Sequence, residues 1–241
     1  MSNLIIDIGN TALKAAWADG VILGKTFRYQ GEKMSDFIMS LVSKEKPDVM
    51  IISSVREISR QNEERFRKEC GRLVLMDPRH VRYAEKYGLP SCVTPDRAAS
   101  IVAARHLFKG KGCVVFDLGT TMTVDFIGAD GSYGGGVISP GCRTRFRALN
   151  RYSRSLPLAD APEYVQDRGN DIITSIQSGV VKGIIFEIEG YLGQIPDYTA
   201  VFTGGDAIYF AKRMKNSIFV VCNLVLVGLA LMAEDYVEED L

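Results

Sequence analysis

Short apolar runs ended by glycine turns alternate along this chain with stretches of helical period, a pattern that predicts an α/β protein. Residues 4–20, LIIDIGNTALKAAWADG, and residues 114–131, VVFDLGTTMTVDFIGADG, repeat one order of features. Each has an apolar run, Asp-x-Gly-polar-Thr, a second apolar run and Ala-Asp-Gly. Each reads as strand, tight turn, strand, second turn, the start of an antiparallel meander. Two similar α/β lobes are therefore expected, over residues 1–112 and 113–241. In the first, Met34–Lys44 reads as a helix, Asp48–Val55 as a buried strand, Ser59–Cys70 as a charged helix and Arg72–Met76 as a strand. Asp96–Phe108 has apolar residues at 98, 99, 101, 102, 104 and 107 and predicts an amphipathic helix joining the lobes.

In the second lobe a helix is expected after Pro140-Gly141 and a longer one over Ile172–Leu192. Thr199–Phe202 reads as a strand running into Thr203-Gly204-Gly205-Asp206, and Asn223–Tyr236 as the last helix. Ser175, Gly179, Gly183 and Gly190 recur along the long helix. Each glycine costs roughly 1 kcal/mol against alanine, which points to a close helix contact, a dimer seam being one candidate. The most apolar stretch, Ile218–Ala233, is shorter than the ~20 residues of a membrane span and reads as a buried strand followed by a core helix.

Composition narrows the function classes. Of the 241 residues, 46% are hydrophobic and 24% charged, as in ordinary globular proteins. Lys plus Arg equals Asp plus Glu at 29 each, so no overall field draws nucleic acid or an anionic membrane, and any anion site must be local. The five cysteines are scattered without CxxC spacing, which fits neither a disulfide framework nor zinc. With an N-terminus unlike a secretory signal, a reducing cytoplasmic setting is expected.

The candidate chemistry lies in the turns. Asp7-Ile8-Gly9-Asn10-Thr11 follows an apolar strand, where a glycine turn can present N–H groups to phosphate. Thr11 adds a hydroxyl, Lys14 a cation, and Asp7 can hold water or Mg²⁺. A single such motif is equally an ordinary hairpin turn; the second copy, Asp117-Leu118-Gly119-Thr120-Thr121, shifts the balance toward a phosphate clamp. Asp125, on the next strand, is expected to face solvent. Gly135–Gly141 and Gly204-Gly205 allow close approach of a ligand to backbone, although plain loops look similar.

In order and detail these stretches resemble the actin and sugar-kinase superfamily and, within it, the type III pantothenate kinases. The matching segments are DIGNTALK at 7–14, IISSV at 51–55, YGLPSCVTPDR at 87–97, DLGTTMT at 117–123, GGVISPG at 135–141, IQSGVVKG at 176–183 and TGGD at 203–206. The resemblance implies two similar RNase H-like lobes with a cleft between them, ATP with Mg²⁺, a homodimer, and phosphorylation of pantothenate to 4′-phosphopantothenate, the first step of coenzyme A synthesis. Carried over, it implies that Asp7, Ile8, Gly9, Asn10, Thr11 and Lys14 bind ATP, with Thr120 and the adenosine-side Gly204 and Gly205. Asp117 would hold K⁺ or NH₄⁺. Asp96 would accept the substrate proton, a role for which the competing reading is a helix N-cap. Arg97 would pair with the pantothenate carboxylate, for which a surface arginine is the alternative, and Tyr87 would line the pocket.

Two departures stand out. Where the family usually has Gly-x-Asp-Arg, this chain has Thr94-Pro95-Asp96-Arg97, which changes the wall of the substrate site. Ile172 occupies the position of a threonine that the family contributes across its dimer, so one substrate hydrogen bond is expected to be missing. These departures keep two other readings open: a weak nucleotide-binding accessory or regulatory homologue, and a kinase of another small alcohol. An actin-like filament or chaperone is disfavoured by the short chain.

Overall fold

The computed structural model describes residues 2–238, which divide into two compact units. Unit 1 joins the chain up to Leu107 with the segment from Asn223 onward, and unit 2 is Phe108–Cys222.

In unit 1, β1 (Ser2–Ile8), β2 (Leu13–Asp19) and β3 (Ile22–Tyr29) form an antiparallel meander. The strands β4 (Val49–Ser54) and β5 (Arg72–Met76) extend the sheet in parallel, giving the order β3-β2-β1-β4-β5. The helices are α1 (Met34–Leu41), α2 (Arg60–Arg67), α3 (Arg82–Lys86), α4 (Pro95–Leu107) and α8 (Leu224–Glu238). From Asn3 to Ile8 every β1 residue is buried, as in a central strand covered on both faces. Leu4, Ile6 and Ile8 pack with Leu13, Met50, Ile52 and Phe66. The alternate residues Asn3, Ile5 and Asp7 take the opposite face. There Asn3 donates through Nδ2 to Glu234 Oε1 on α8 at 2.8 Å.

Unit 2 contains β6 (Cys113–Leu118), β7 (Thr121–Ile127), β8 (Tyr133–Pro140), β9 (Thr199–Thr203) and β10 (Ile218–Val220). Their order, β8-β7-β6-β9-β10, repeats that of the first sheet strand for strand. Its helices are α5 (Cys142–Tyr152), α6 (Ile172–Gln194) and α7 (Ala207–Ala211). Val114, Phe116 and Leu118 pack against Phe146 of α5 and Val180, Ile184 and Ile188 of α6.

Four features differ from the sequence expectation. The last helix belongs to unit 1, although the segment before it belongs to unit 2, because its apolar surface packs on α4 and on β1. The α4 helix is not amphipathic: Ala98 through Ala104 are all buried, since α8 and the sheet cover it on more than one side. The glycine-rich stretch after residue 133 forms strand β8 through pairing with β7. Finally, β10 is an edge strand of three residues with Phe219 and Val220 exposed, because only β9 pairs with it.

Candidate active site

In unit 1, the first glycine turn is closed by Gly9, whose N–H donates to the Ala12 carbonyl at 3.1 Å. Asp7 lies just before it, 8% exposed, and accepts from Ser53 Oγ at 3.2 Å through Oδ1. Ser53 is its register partner on parallel β4, and Lys14 is its partner on antiparallel β2. Directly opposed residues share one face, so a carboxylate, a hydroxyl and an ammonium group are gathered at the end of β1. Asn10 and Thr11 are exposed at the tip of the turn. Arg56 reaches the turn through a hydrogen bond from Nη2 to the Asn10 carbonyl at 3.3 Å.

The same plan recurs in unit 2. Gly119 N–H donates to the Thr121 carbonyl at 3.0 Å, closing the second turn. Asp117, half-buried, is opposed by Thr203 on parallel β9 and Thr123 on antiparallel β7. Ser53 and Thr203 are thus equivalent hydroxyl partners of the two aspartates. Their signal was the polar end of each apolar strand, IISSV and AVFTGGD, and only pairing assigned the partner.

Glycines hold the second turn by close approach. Gly204, at φ +90°, would place a Cβ 2.5 Å from Asp117 Oδ1 and from the Leu118 carbonyl oxygen. The next N–H but one, that of Asp206, donates to the Leu118 carbonyl at 2.9 Å. From the other side, Gly141 N–H and Thr144 Oγ1 donate to the Thr120 carbonyl at 3.1 and 2.6 Å. Gly205 has open space where its side chain would be, and Thr120, at the tip of the second turn, is exposed. Burial raises the Asp206 carboxyl above its ordinary value, with Arg143 partly offsetting that rise.

Asp125 does not face solvent. It is 1% exposed and accepts from Tyr133 Oη at 3.0 Å. Its register partner is the equally buried Val115, so it stands on the same sheet face as Asp117.

The segment with Asp96 belongs to unit 1. Thr94 is the N-cap residue of α4: its carbonyl accepts the N–H of Ala98 at 2.9 Å. Pro95 takes the first helical position, where its fixed φ and missing N–H are favourable. Asp96 is therefore inside the first turn and not the cap. Its Oδ1 accepts from Thr94 Oγ1 at 2.5 Å and from the Arg97 N–H at 3.0 Å. Arg97 is only 8% exposed, which sets aside a simple surface arginine. Tyr87 is fixed at both ends: its hydroxyl donates to Asp235 Oδ2 at 2.9 Å, and its carbonyl accepts from Arg105 Nη1 at 2.7 Å. The adjoining Tyr83 donates to the Val93 carbonyl at 2.8 Å, and burial, reinforced by the charge of Asp96, pushes its hydroxyl up to about 12.

Ile172 is the first residue of α6, 57% exposed, on an apolar groove of ≈ 1150 Å³ within unit 2 shared with Leu149, Tyr152 and Ile176. Thr174, two residues further on, is engaged in the cap of the helix. It forms a capping box with Asp171, accepting from the Asp171 N–H at 3.2 Å while its own N–H donates to Asp171 Oδ1 at 2.9 Å.

The donor sets of the two turns suit hard cations. One buried carboxylate beside hydroxyls suits Mg²⁺ that keeps its waters and takes its remaining oxygens from phosphate. Among the described residues no cluster of three or more His, Cys, Asp or Glu offers a cage made by protein alone. Around Asp117 the oxygens belong to carboxylate, hydroxyl and carbonyl groups, a donor type that suits a hard cation.

Comparison with known proteins places these features. The sequence pattern of the family described as type III pantothenate kinase matches residues 3–194. A type III pantothenate kinase of Phocaeicola vulgatus is 38% identical over 234 residues, covering 94% of this chain and 96% of its own length. Among solved structures, the activator of the 2-hydroxyisocaproyl-CoA dehydratase from Clostridium difficile, with bound ADPNP, superimposes with a TM-score of 0.60 at 12% identity over 100% of this chain and 97% of its own. The ROK hexokinase of Thermus thermophilus gives 0.54 at 13% identity over 98% and 100%. The structural likeness shows that this chain shares its fold with these two proteins. With a family pattern spanning most of the chain and relatives aligned nearly end to end, the chain belongs to the type III pantothenate kinase family.

Proposed function

We propose that this protein transfers the γ-phosphoryl group of ATP to the primary hydroxyl of pantothenate, forming 4′-phosphopantothenate for coenzyme A synthesis in the cytoplasm. Family membership motivates the substrate, and the state of Asp96 carries the mechanism. Among the described residues both of its hydrogen bonds fall on Oδ1, which leaves Oδ2 for a substrate hydroxyl. The hydroxyl oxygen attacks the γ-phosphorus, the bond to the bridging oxygen of ADP breaks, and the hydroxyl proton passes to Asp96 Oδ2. Buried Arg97 offers a guanidinium for the pantothenate carboxylate, and Tyr87 a ring whose position is fixed by Asp235 and Arg105.

Within unit 1, the turn from Asp7 to Thr11 and Lys14 hold ATP phosphates, Asp7 facing Mg²⁺ and its waters. Within unit 2, Thr120 touches ATP, Gly204 and Gly205 serve the adenosine side, and Asp117 holds K⁺ or NH₄⁺. The bound cations supply charge neutralisation for the phosphates. A homodimer is part of this reading: among the described residues, a Cβ added at Gly179 or Gly190 would meet nothing within 4 Å beyond its chain neighbours and the helix's own backbone, leaving that side of α6 open to a second copy.

Ile172 favours one alternative, a kinase of another small alcohol, because it presents an apolar side chain where the family has a hydroxyl. ADP release with ATP, Mg²⁺ and K⁺, measured with and without pantothenate, separates the two. Pantothenate-dependent release reduced by at least about a hundredfold in Asp96→Asn is expected; release indifferent to pantothenate rejects the substrate, and an active Asp96→Asn rejects the proton acceptor.

A further inference from the structure

We propose that Thr94 is a positioning residue for catalysis, its hydroxyl holding the Asp96 carboxylate so that Oδ2 is presented to the substrate hydroxyl. This deepens the proposed function and rests on Asp96 as proton acceptor.

An N-cap threonine ordinarily accepts, through its side-chain oxygen, the backbone N–H of the second or third helical residue. Here that work is displaced. Asp96 Oδ1 takes the Arg97 N–H at 3.0 Å, and the Thr94 hydroxyl donates to the same Oδ1 at 2.5 Å. The hydroxyl is thus a donor to the carboxylate instead of a cap for the backbone. Two donors on one oxygen fix the carboxylate plane and side-chain torsion, and they leave the second oxygen free for a proton.

The rest of the segment is stiff enough to transmit that constraint. Pro95 locks φ between the two side chains. Its ring is buried, as are Val93 before it and Arg97 after it. Tyr83 ties down the Val93 carbonyl at 2.8 Å, and Thr94 contributes its own carbonyl to the first turn of α4. A glycine at position 94 has no side chain to make the bond, so the threonine adds an orienting contact at the point where this chain departs from Gly-x-Asp-Arg. A hydrogen bond that orients a reacting group without touching substrate should appear in kcat and not in substrate affinity.

The experiment compares Thr94→Val, which keeps the branched shape and loses the hydroxyl, with Thr94→Ser, which keeps the hydroxyl, alongside Asp96→Asn. Steady-state rates are read against pantothenate, with ATP binding and thermal unfolding confirming an intact fold. The expected result is a kcat lowered about ten- to a hundredfold in Thr94→Val, pantothenate KM within about threefold of the parent, and Thr94→Ser close to the parent. If Thr94→Val does not fold, Thr94→Ala against Thr94→Ser makes the same comparison. Unchanged kcat in the hydroxyl-free variant, with Asp96→Asn inactive, overturns the positioning role and leaves Asp96 standing. A raised KM with unchanged kcat overturns it in favour of a pocket-wall role. An active Asp96→Asn overturns the reading beneath it.

Discussion

Asp77, at the end of β5, is fully buried and collects the hydrogen bonds that close the loop after that strand. Its carboxylate accepts the N–H groups of Ile58, Arg79 and His80 at 3.0, 2.9 and 3.0 Å, and it meets His80 Nδ1 at 2.8 Å. Burial alone would raise its pKa, but the hydrogen bonds from Ile58, His80 and Arg79 outweigh it and leave the carboxyl below its ordinary value of 3.8. A depressed folded-state pKa means that its stabilisation is present above 3.8 and is lost as pH falls through the folded value. Asp77→Ala, which strands the three N–H groups, is expected to cost about 2 kcal/mol near neutrality. Urea unfolding of parent and variant from about pH 6 down to about pH 3 should show their gap closing toward acid; a constant gap refutes the linkage. None of this was legible in the chain, because Ile58, one of the donors, is nineteen positions from Asp77 in sequence. Burial of Asp125 was hidden for a related reason: its strand alternates, but which face is covered is set by residues distant in sequence.

At the scale of elements, α4 matters most because its first turn carries Asp96 and Arg97. It is held by α8, with Gly228 at the crossing: a Cβ there would lie 1.8 Å from the Ala99 carbonyl oxygen. That obstacle is helix backbone and cannot move aside like a flexible side chain. Gly228→Ala is therefore expected to destabilise the protein by about 3 kcal/mol despite alanine's better helix propensity. Thermal unfolding checks this, and a variant as stable as the parent shows that the helices separate without strain. Helical period located both elements, Asp96–Phe108 and Asn223–Tyr236 in the sequence against Pro95–Leu107 and Leu224–Glu238 in the structure. It did not indicate that they pack together, since residues more than a hundred positions apart meet there. In sequence Gly228 is one position of the apolar stretch Ile218–Ala233, with nothing nearby to mark a crossing.

At the scale of the whole molecule, duplication extends from a short motif to two sheets of identical strand order, each with a hydroxyl opposite its first aspartate. The cysteines report on how completely these units are packed. Burial pushes Cys142 up to about 12, assisted by Asp206, and Cys113 up to about 11; Cys70 is raised as well, whereas Cys92 and Cys222 are exposed. At about pH 8 a thiol reagent should modify Cys92 and Cys222 rapidly and the other three only on unfolding. Mass spectrometry of the labelled native protein tests this, and rapid labelling of a third site contradicts the packing. What the sequence determined by itself was local: apolar runs followed by Asp-x-Gly-polar-Thr specify strands ending in tight turns, because side-chain period and glycine conformation act over a few residues. Its family segments also carried the membership that comparison established. The tertiary structure alone decided that α8 joins unit 1, that Asp125 is buried, and that Asp96 lies inside the α4 turn under Thr94. Burial and pairing of that kind depend on which surfaces remain to be covered once the sheets have formed, a condition no short window of sequence contains.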